Sequence, residues 1–264
     1  MPFSPRDEAG PWALGPYNAP ERLLAIPYRR RIIGRVKLPP LIAGRFVRRD
    51  NRFRVTVEVD RVPVAAHLPN SGRLAELLTP GRACWLAEFD SLHRKTSYDL
   101  VLVQYAGVLV SVDARLPNTL VAEALAEDRL EPFRRYDHVA REVRRGESRL
   151  DFCLSGPAGL CWVEVKSVTL VEEGVARFPD APTIRGTRHL RELTAAVGQG
   201  EGAAVVFVIQ RPDASCFAPH IQADAAFGAA LWEAASVGVG IYAWTCEVSE
   251  RSVIIDGQIP VNLT

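Results

Sequence analysis

The feature that most restricts the fold of this chain is a change of hydrophobic period near Asp113. From Leu41 up to that point, apolar and β-branched residues alternate with polar ones in short runs: AGRFVRR, FRVTVEV, VPVAAHL, RACWLAEF and YDLVLVQYAGVLVSV. A period of two puts every second side chain on one face of a strand, so these runs predict a β-meander with tight turns at Asp50-Asn51 and Asp60-Arg61. One short helix, SGRLAELL, is expected between the third and fourth strands, with Ser71 as its N-cap. Five or so strands around one small helix predict an OB-like barrel over residues 37–112.

Beyond Asp113 the two periods alternate. Helices are expected over Leu120–Asp128, Ile184–Val197 and Ala225–Ala235, and strands at REV, SRLDFCL, LCWVEVKSV, AAVVFVIQ and GIYAWTCEV. That order predicts a mixed α/β domain over residues 113–264. The first 36 residues, rich in proline and then in arginine, read as an arm ahead of it all.

Composition closes off several other classes. With 48% hydrophobic and 24% charged residues, the 264-residue chain is neither a disordered nor a coiled-coil sequence. Its five cysteines are scattered with no C-x-x-C pair, so neither a zinc site nor a secreted disulfide framework is expected. The longest uncharged stretches, such as Ala234–Cys246, fall well short of the roughly 20 residues of a membrane span. The opening residues place five prolines and both signs of charge where a signal peptide has an apolar core, which predicts a cytoplasmic protein with no membrane partner. GQGEGA and GVGIYA match a loose dinucleotide pattern but lie after a helix and at a strand start. No P-loop or G-x-S-x-G string occurs, so no nucleotide cofactor is expected. The sequence leaves the oligomeric state open.

The near-neutral net charge of +1 hides a strong asymmetry. Arg29–Arg54 holds ten basic residues against one acid, a net of +9 that leaves −8 for the remainder. Arginines on strands and a hairpin suit a polyanion, because neutralising phosphates releases condensed counterions. Arg45, Arg48, Arg49, Arg52, Arg54 and Arg73 are therefore candidates to contact nucleic acid, the alternative being a solvated basic face. Only three of 32 basic residues are lysine: Lys37, Lys95 and Lys166. Lysine is a compact charge that a site uses differently from the planar arginine fork.

Lys166 belongs to a predicted hairpin, RLDFCLSGPAGLCWVEVK. Alternation puts Leu150, Phe152 and Leu154 on one face and Asp151 and Cys153 on the other, while Glu164 and Lys166 share a face of the next strand. If Asp151 lies across from Glu164, then Leu154 faces Cys161 and residues 155–160 form the loop. Two opposed carboxylates repel, and a divalent cation relieves this. Mg2+ prefers oxygen ligands and keeps several waters, so Asp151 and Glu164 could hold it with a phosphate oxygen, and Mn2+ can substitute. Lys166 would then orient water or hold developing charge, the logic of metal-dependent phosphodiester hydrolysis. The plainer alternative is a Glu164–Lys166 surface ion pair with Asp151 beside Arg149. Glu123, on the preceding helix, is a further candidate ligand, or solvated together with Glu127. Leu190, Leu193 and Val197 take the core-facing spacing of the later helix, which Thr183 could cap. Arg185, Arg188 and His189 are then candidates to contact substrate near its N-terminus, or they simply face solvent.

The stretches GRFVRRDNRF, HLPNSGRLAELLTPG, RKTSYDL, RLPNTL, SRLDF, VEVKSVTL and FPDAPTIRGTRHLREL resemble the sugar fermentation stimulation protein A family, from about Leu41 to the C-terminus. The resemblance implies an N-terminal OB-like domain followed by a domain of the PD-(D/E)XK nuclease fold. It also implies DNA binding and a role in regulating sugar metabolism. Carried over residue by residue, Asp151 matches the first acid of that motif, Glu164 the second and Lys166 the lysine. Leu150 stands where the wider superfamily usually has proline.

Overall fold

The computed structural model describes residues 35–90 and 94–263. The expected arm over residues 1–36 lies almost wholly outside the described residues.

Strand β1 (Val36–Lys37) leads into an N-terminal unit built of β2 (Leu41–Asn51), β3 (Arg54–Val59), β4 (Val62–His67), β5 (Ala83–Glu88), β6 (Tyr98–Tyr105) and β7 (Val108–Ser111). They pair in the order β4-β3-β2-β5-β6-β7, and a parallel contact of Ala66 and His67 with Tyr98 and Asp99 closes the first five into a barrel. Period-two alternation fills that barrel with Phe46, Val55, Val57, Leu86, Leu100 and Val103. The turn at Asp60-Arg61 is as expected, both residues having positive φ (49° and 66°) between the paired Val59 and Val62. The preceding turn falls at Arg52-Phe53, two residues later than predicted: Asn51 pairs with Arg54, and the Asn51 Oδ1 accepts from the Phe53 amide at 2.9 Å.

SGRLAELL does not form the expected helix. Asp180, from the second unit, accepts from the Arg73 and Leu74 amides at 2.6 and 3.3 Å, and Leu74 adopts φ +51°. A single turn remains, which drops Leu74 and Leu77 into the barrel core.

The second unit contains α1 (Leu116–Ala126), a 3-10 turn (Glu131–Phe133), β8 (His138–Arg145), β9 (Ser148–Gly156), β10 (Gly159–Val168), β11 (Val171–Glu172), β12 (Val175–Phe178), α2 (Ile184–Gly198), β13 (Gly202–Ile209), β14 (Cys216–Pro219), α3 (Ala225–Ser236), β15 (Gly240–Val248) and β16 (Ser252–Ile259). Its main sheet runs β1-β16-β15-β13-β10-β9-β8, with β10, β13 and β15 parallel. These central strands are apolar almost throughout because helices cover both faces. Leu190 and Leu193 of α2 and Phe227 and Leu231 of α3 pack on one face with Trp162 and Phe207, while Leu120 and Val121 of α1 pack on the other with Val163 and Val206. Thr183 caps α2 by accepting from the Gly186 amide at 3.0 Å. Helix α1 starts four residues earlier than expected because Pro117 lies in its first turn, where no amide donor is required.

Lys37, expected to open the barrel domain, instead pairs with Ser252 at the edge of the large sheet, since β1 and the Leu38 amide hydrogen-bond to that edge. The units are also joined by buried polar contacts. Ser111 Oγ donates to Gln210 Oε1 at 2.9 Å, and Gln210 Nε2 donates to the Asp113 carbonyl and Ser167 Oγ at 3.2 and 3.0 Å. Contact near Asp180 is equally close, since a Cβ added to Gly72 would stand 2.5 Å from its Oδ2.

Candidate functional site

Strands β9 and β10 pair with Leu154 opposite Cys161 and Phe152 opposite Val163, the expected register, although the ladder runs on to a two-residue turn at Pro157-Ala158. The expected alternation breaks at Asp151. Leu150 packs with Cys153 on the α2 side, whereas Phe152 and Leu154 pack on the α1 side. In β8, Glu142 has φ +54° between the pairs Arg141–Phe152 and Val143–Leu150, so the strand is distorted beside Asp151. The Asp151 carboxylate consequently accepts from the Val165 amide at 2.8 Å and from Asn118 Nδ2 of α1 at 2.6 Å.

Glu164 is buried and holds the opposite position. Its Oε1 accepts from Lys166 Nζ at 2.5 Å and is in contact with His189 Nδ1 of α2. Arg185 Nε donates to His189 Nε2 at 3.3 Å, which assigns the ring proton to Nδ1, facing Glu164. Glu164 Oε2 is buried with no hydrogen-bond partner among the described residues. Burial, reinforced by the charge of Glu164, raises the Asp151 carboxyl above its ordinary range; the Val165 amide, Asn118 and Lys166 only partly offset this. Burial also pushes Glu164 upward, but Lys166 and His189 outweigh it and leave that carboxyl below its ordinary range. Two neighbouring carboxylates driven apart in this way are a common mark of a functional site.

Lys166 lines a cleft of about 250 Å³ between the units. Its walls include Arg52, Asn70 and Gly72 from the barrel side, Ser167 from the end of β10, Thr169 just beyond it, and the stretch Phe178–Thr183. The chain thus brings Asp151, Glu164, Lys166 and His189 together beside this cleft.

Glu123 does not join them. Its carboxyl is raised by burial and then by Glu127, opposed by Arg129, so its charged surroundings lie at and beyond the C-terminal end of α1. Among the described residues no three of His, Cys, Asp and Glu form a metal-holding group. Of the residues expected to contact nucleic acid, Arg45, Arg48, Arg52, Arg54, Arg73, Arg185 and Arg188 are exposed. Arg48 pairs with Asp50 at 2.9 Å, and Arg45 donates to the Gly81 carbonyl at 3.0 Å.

Two residues are placed otherwise. His189 is 2% exposed and faces Glu164 rather than solvent, because the turn of α2 that carries it packs onto β10. Arg49 donates to the carbonyls of Gly72, Arg73 and Arg52 at 2.7–2.8 Å, so its guanidinium ties the β2–β3 hairpin to the 70–73 turn. Asn118 and Asp180 were missed: Pro117 disguised the start of α1, and Asp180 acts on amides more than 100 residues away.

A family model described as the SfsA N-terminal OB domain matches residues 47–112, and one described as the sugar fermentation stimulation protein RE domain matches residues 115–252. A sugar fermentation stimulation protein homolog of Desulforamulus reducens is 48% identical over 228 residues, covering 86% of this chain and 95% of its own. A homolog of Moorella thermoacetica is 48% identical over 231 residues, 86% and 100% respectively. Among solved structures, Pyrococcus furiosus SfsA in complex with Ca2+ superposes with a TM-score of 0.80 at 32% identity, covering 86% of this chain and 98% of that one. The fold is accordingly an OB barrel followed by a mixed α/β domain, and the chain belongs to the sugar fermentation stimulation protein family.

Proposed function

We propose that this is a cytoplasmic DNA-binding protein whose second domain, residues 113–264, carries a Mg2+-dependent phosphodiester-hydrolysing site at Asp151, Glu164 and Lys166. The observation that carries this reading is Glu164 Oε2, a buried oxygen without a hydrogen-bond partner among the described residues, next to the half-buried carboxylate of Asp151. A purely structural ion pair would have no use for an unsatisfied acceptor, whose burial costs about 1–3 kcal/mol. A hard cation fits that donor set, since Mg2+ takes one or two carboxylates and fills its remaining positions with water and phosphate oxygens. The ligands would be Asp151 and Glu164, and the Ca2+ of the Pyrococcus relative supports an ion of this class.

When bound, the ion supplies Lewis-acid stabilisation of phosphate charge and a more acidic water. Asn118 and the Val165 amide hold the Asp151 carboxylate in place, and His189 fixes the rotamer of Glu164. Lys166 Nζ, at the cleft wall, would donate to a phosphate oxygen as charge builds. Exposed arginines on the hairpin and at the start of α2 would hold the strand by its phosphates.

The test is incubation of labelled single- and double-stranded DNA with the protein in Mg2+, Mn2+ or EDTA, beside Glu164→Gln and Lys166→Ala variants. Cleavage that needs the metal and disappears in both variants is expected. DNA bound but uncut in every condition would leave a binding module, a non-catalytic regulator of sugar-metabolism genes built on this fold.

A further inference from the structure

The cleft at Lys166 has two lips, and the residue beyond each lip is apolar and exposed. On the barrel side Arg52 lines the cleft and Phe53, next in the chain, is 47% exposed at the tip of the β2–β3 hairpin. Across the cleft Thr183 lines the wall and Ile184, the first residue of α2, is 91% exposed. Neither contributes to a hydrophobic core. The Phe53 ring is held for contact. The guanidinium of Arg52 lies 5.4 Å from its centroid and the His67 ring 6.4 Å away at 35°. Asn51 Oδ1 accepts from the Phe53 amide, and Arg49 donates to the Arg52 carbonyl at 2.7 Å, so the tip is pre-organised. The surroundings are cationic: residues 48–54 carry four arginines and one aspartate, and the exposed Arg185 and Arg188 follow in the first turns of α2, just after Thr183.

We infer that Phe53, with Arg52, is a stacking platform for an unpaired nucleobase, and that single-stranded nucleic acid crosses this cleft with Ile184 against its other side. This deepens the nucleic-acid reading above and rests on it. A positively charged groove with an exposed aromatic ring is the arrangement by which proteins hold single strands, because every base has a π-face and the ring needs no sequence. A duplex keeps its bases stacked on one another, so the ring has nothing to take up. Arginine planes also stack on bases, which makes Arg52 and Phe53 one continuous surface.

Fluorescence anisotropy in EDTA, with a labelled oligo-dT and a duplex of equal length, tests this without any cleavage. Phe53→Ala is expected to weaken oligo-dT binding about five- to 150-fold, the usual loss for one stacked base. Duplex affinity should change by less than about twofold and the salt slope for oligo-dT should stay the same, because no phosphate contact is lost. Phe53→Trp should restore binding, while Phe53→Leu, which keeps apolar bulk without a ring, should not. Wild-type affinity for oligo-dT in Phe53→Ala, or an equal loss on both DNA forms, overturns the platform and leaves the DNA-binding reading intact. A wild-type protein that binds neither DNA form overturns both.

Discussion

Replacing Lys166 by methionine keeps most of the apolar volume of the stem and deletes the charge beside Glu164. The side chains of the pair are only 11% and 5% exposed. Removing one partner of a pair buried to that degree costs about 3–5 kcal/mol, because the remaining charge stays desolvated. For a unit of this size that is a fall of roughly 6–20 °C in Tm. The same protein contains its own control. Arg48 and Asp50 are 67% and 21% exposed, and Arg48→Ala should cost no more than about 1 kcal/mol. Urea unfolding in EDTA at neutral pH compares the two.

The pH dependence supplies a second check on the same variant. In the wild type Glu164 sits below its ordinary value of 4.5, so its contribution is present above that pH and is lost as pH falls through the lower folded value. Without Lys166 the largest influence on Glu164 is burial, which raises its pKa. The deficit of the variant is then greatest where Glu164 is charged and shrinks as the pH drops and the carboxyl takes up a proton. A deficit below about 1 kcal/mol near neutrality, typical of a solvated pair, would refute the reasoning, as would one that does not shrink as the pH falls from neutrality through the ordinary value of 4.5.

Asp151 has the opposite sign: its raised pKa makes a contribution present below 3.8 and lost as pH rises through the folded value, so its charge is a burden at neutrality. Asp151→Asn should therefore match or exceed the wild-type Tm in EDTA, by differential scanning calorimetry, while losing any rise in Tm on adding Mg2+. That rise should correspond to about 2.7 kcal/mol of added stability in the wild type at a hundredfold excess over Kd. Arg49→Ala should destabilise the protein by about 1.5–3 kcal/mol, from lost charged hydrogen bonds to carbonyls, and leave the salt slope of DNA binding unchanged. Arg54→Ala, at an exposed arginine of the hairpin, should instead lower that slope by about one unit. Burial pushes the thiols of Cys84 and Cys153 up to about 12 and Cys161 to about 11, and raises Cys246 as well. Native protein should thus show rapid labelling by a thiol reagent at the half-buried Cys216 alone, and all five sites only after unfolding.

The hairpin of β9 and β10 was legible because its turn residues and side-chain parity leave one plausible register, and Leu154 does face Cys161. The bulge that swings Asp151 toward the Val165 amide was not, since it depends on a positive φ at Glu142, a residue type that does not announce one. SGRLAELL has helical spacing in isolation; a carboxylate over 100 residues away takes its amides, and no local signal reports that. Strands β1, β14 and β16 escaped notice for a related reason. Two are short, and the third, with Asp256 and Gly257 at its centre, lacks the apolar run that marks a buried strand. Rarity of lysine drew attention to Lys166, which lines the cleft, whereas nothing in the basic segment separated Arg49, spent on carbonyls, from its exposed neighbours.

The pairing of β1 with β16 means that the barrel is an insertion hung between two joints, Leu38–Pro40 and Val112–Asp113, both rooted in the same larger body. A lobe on a single leash can tumble; one fixed at two points keeps a single easy rotation, about the line through them. Any widening of the intervening groove would follow that axis, as a clamshell opens. Cutting the chain ahead of Ala114 to isolate the larger body would also strip its sheet of an edge strand, so the fragment would begin with a raw border along Ser252 and Val253.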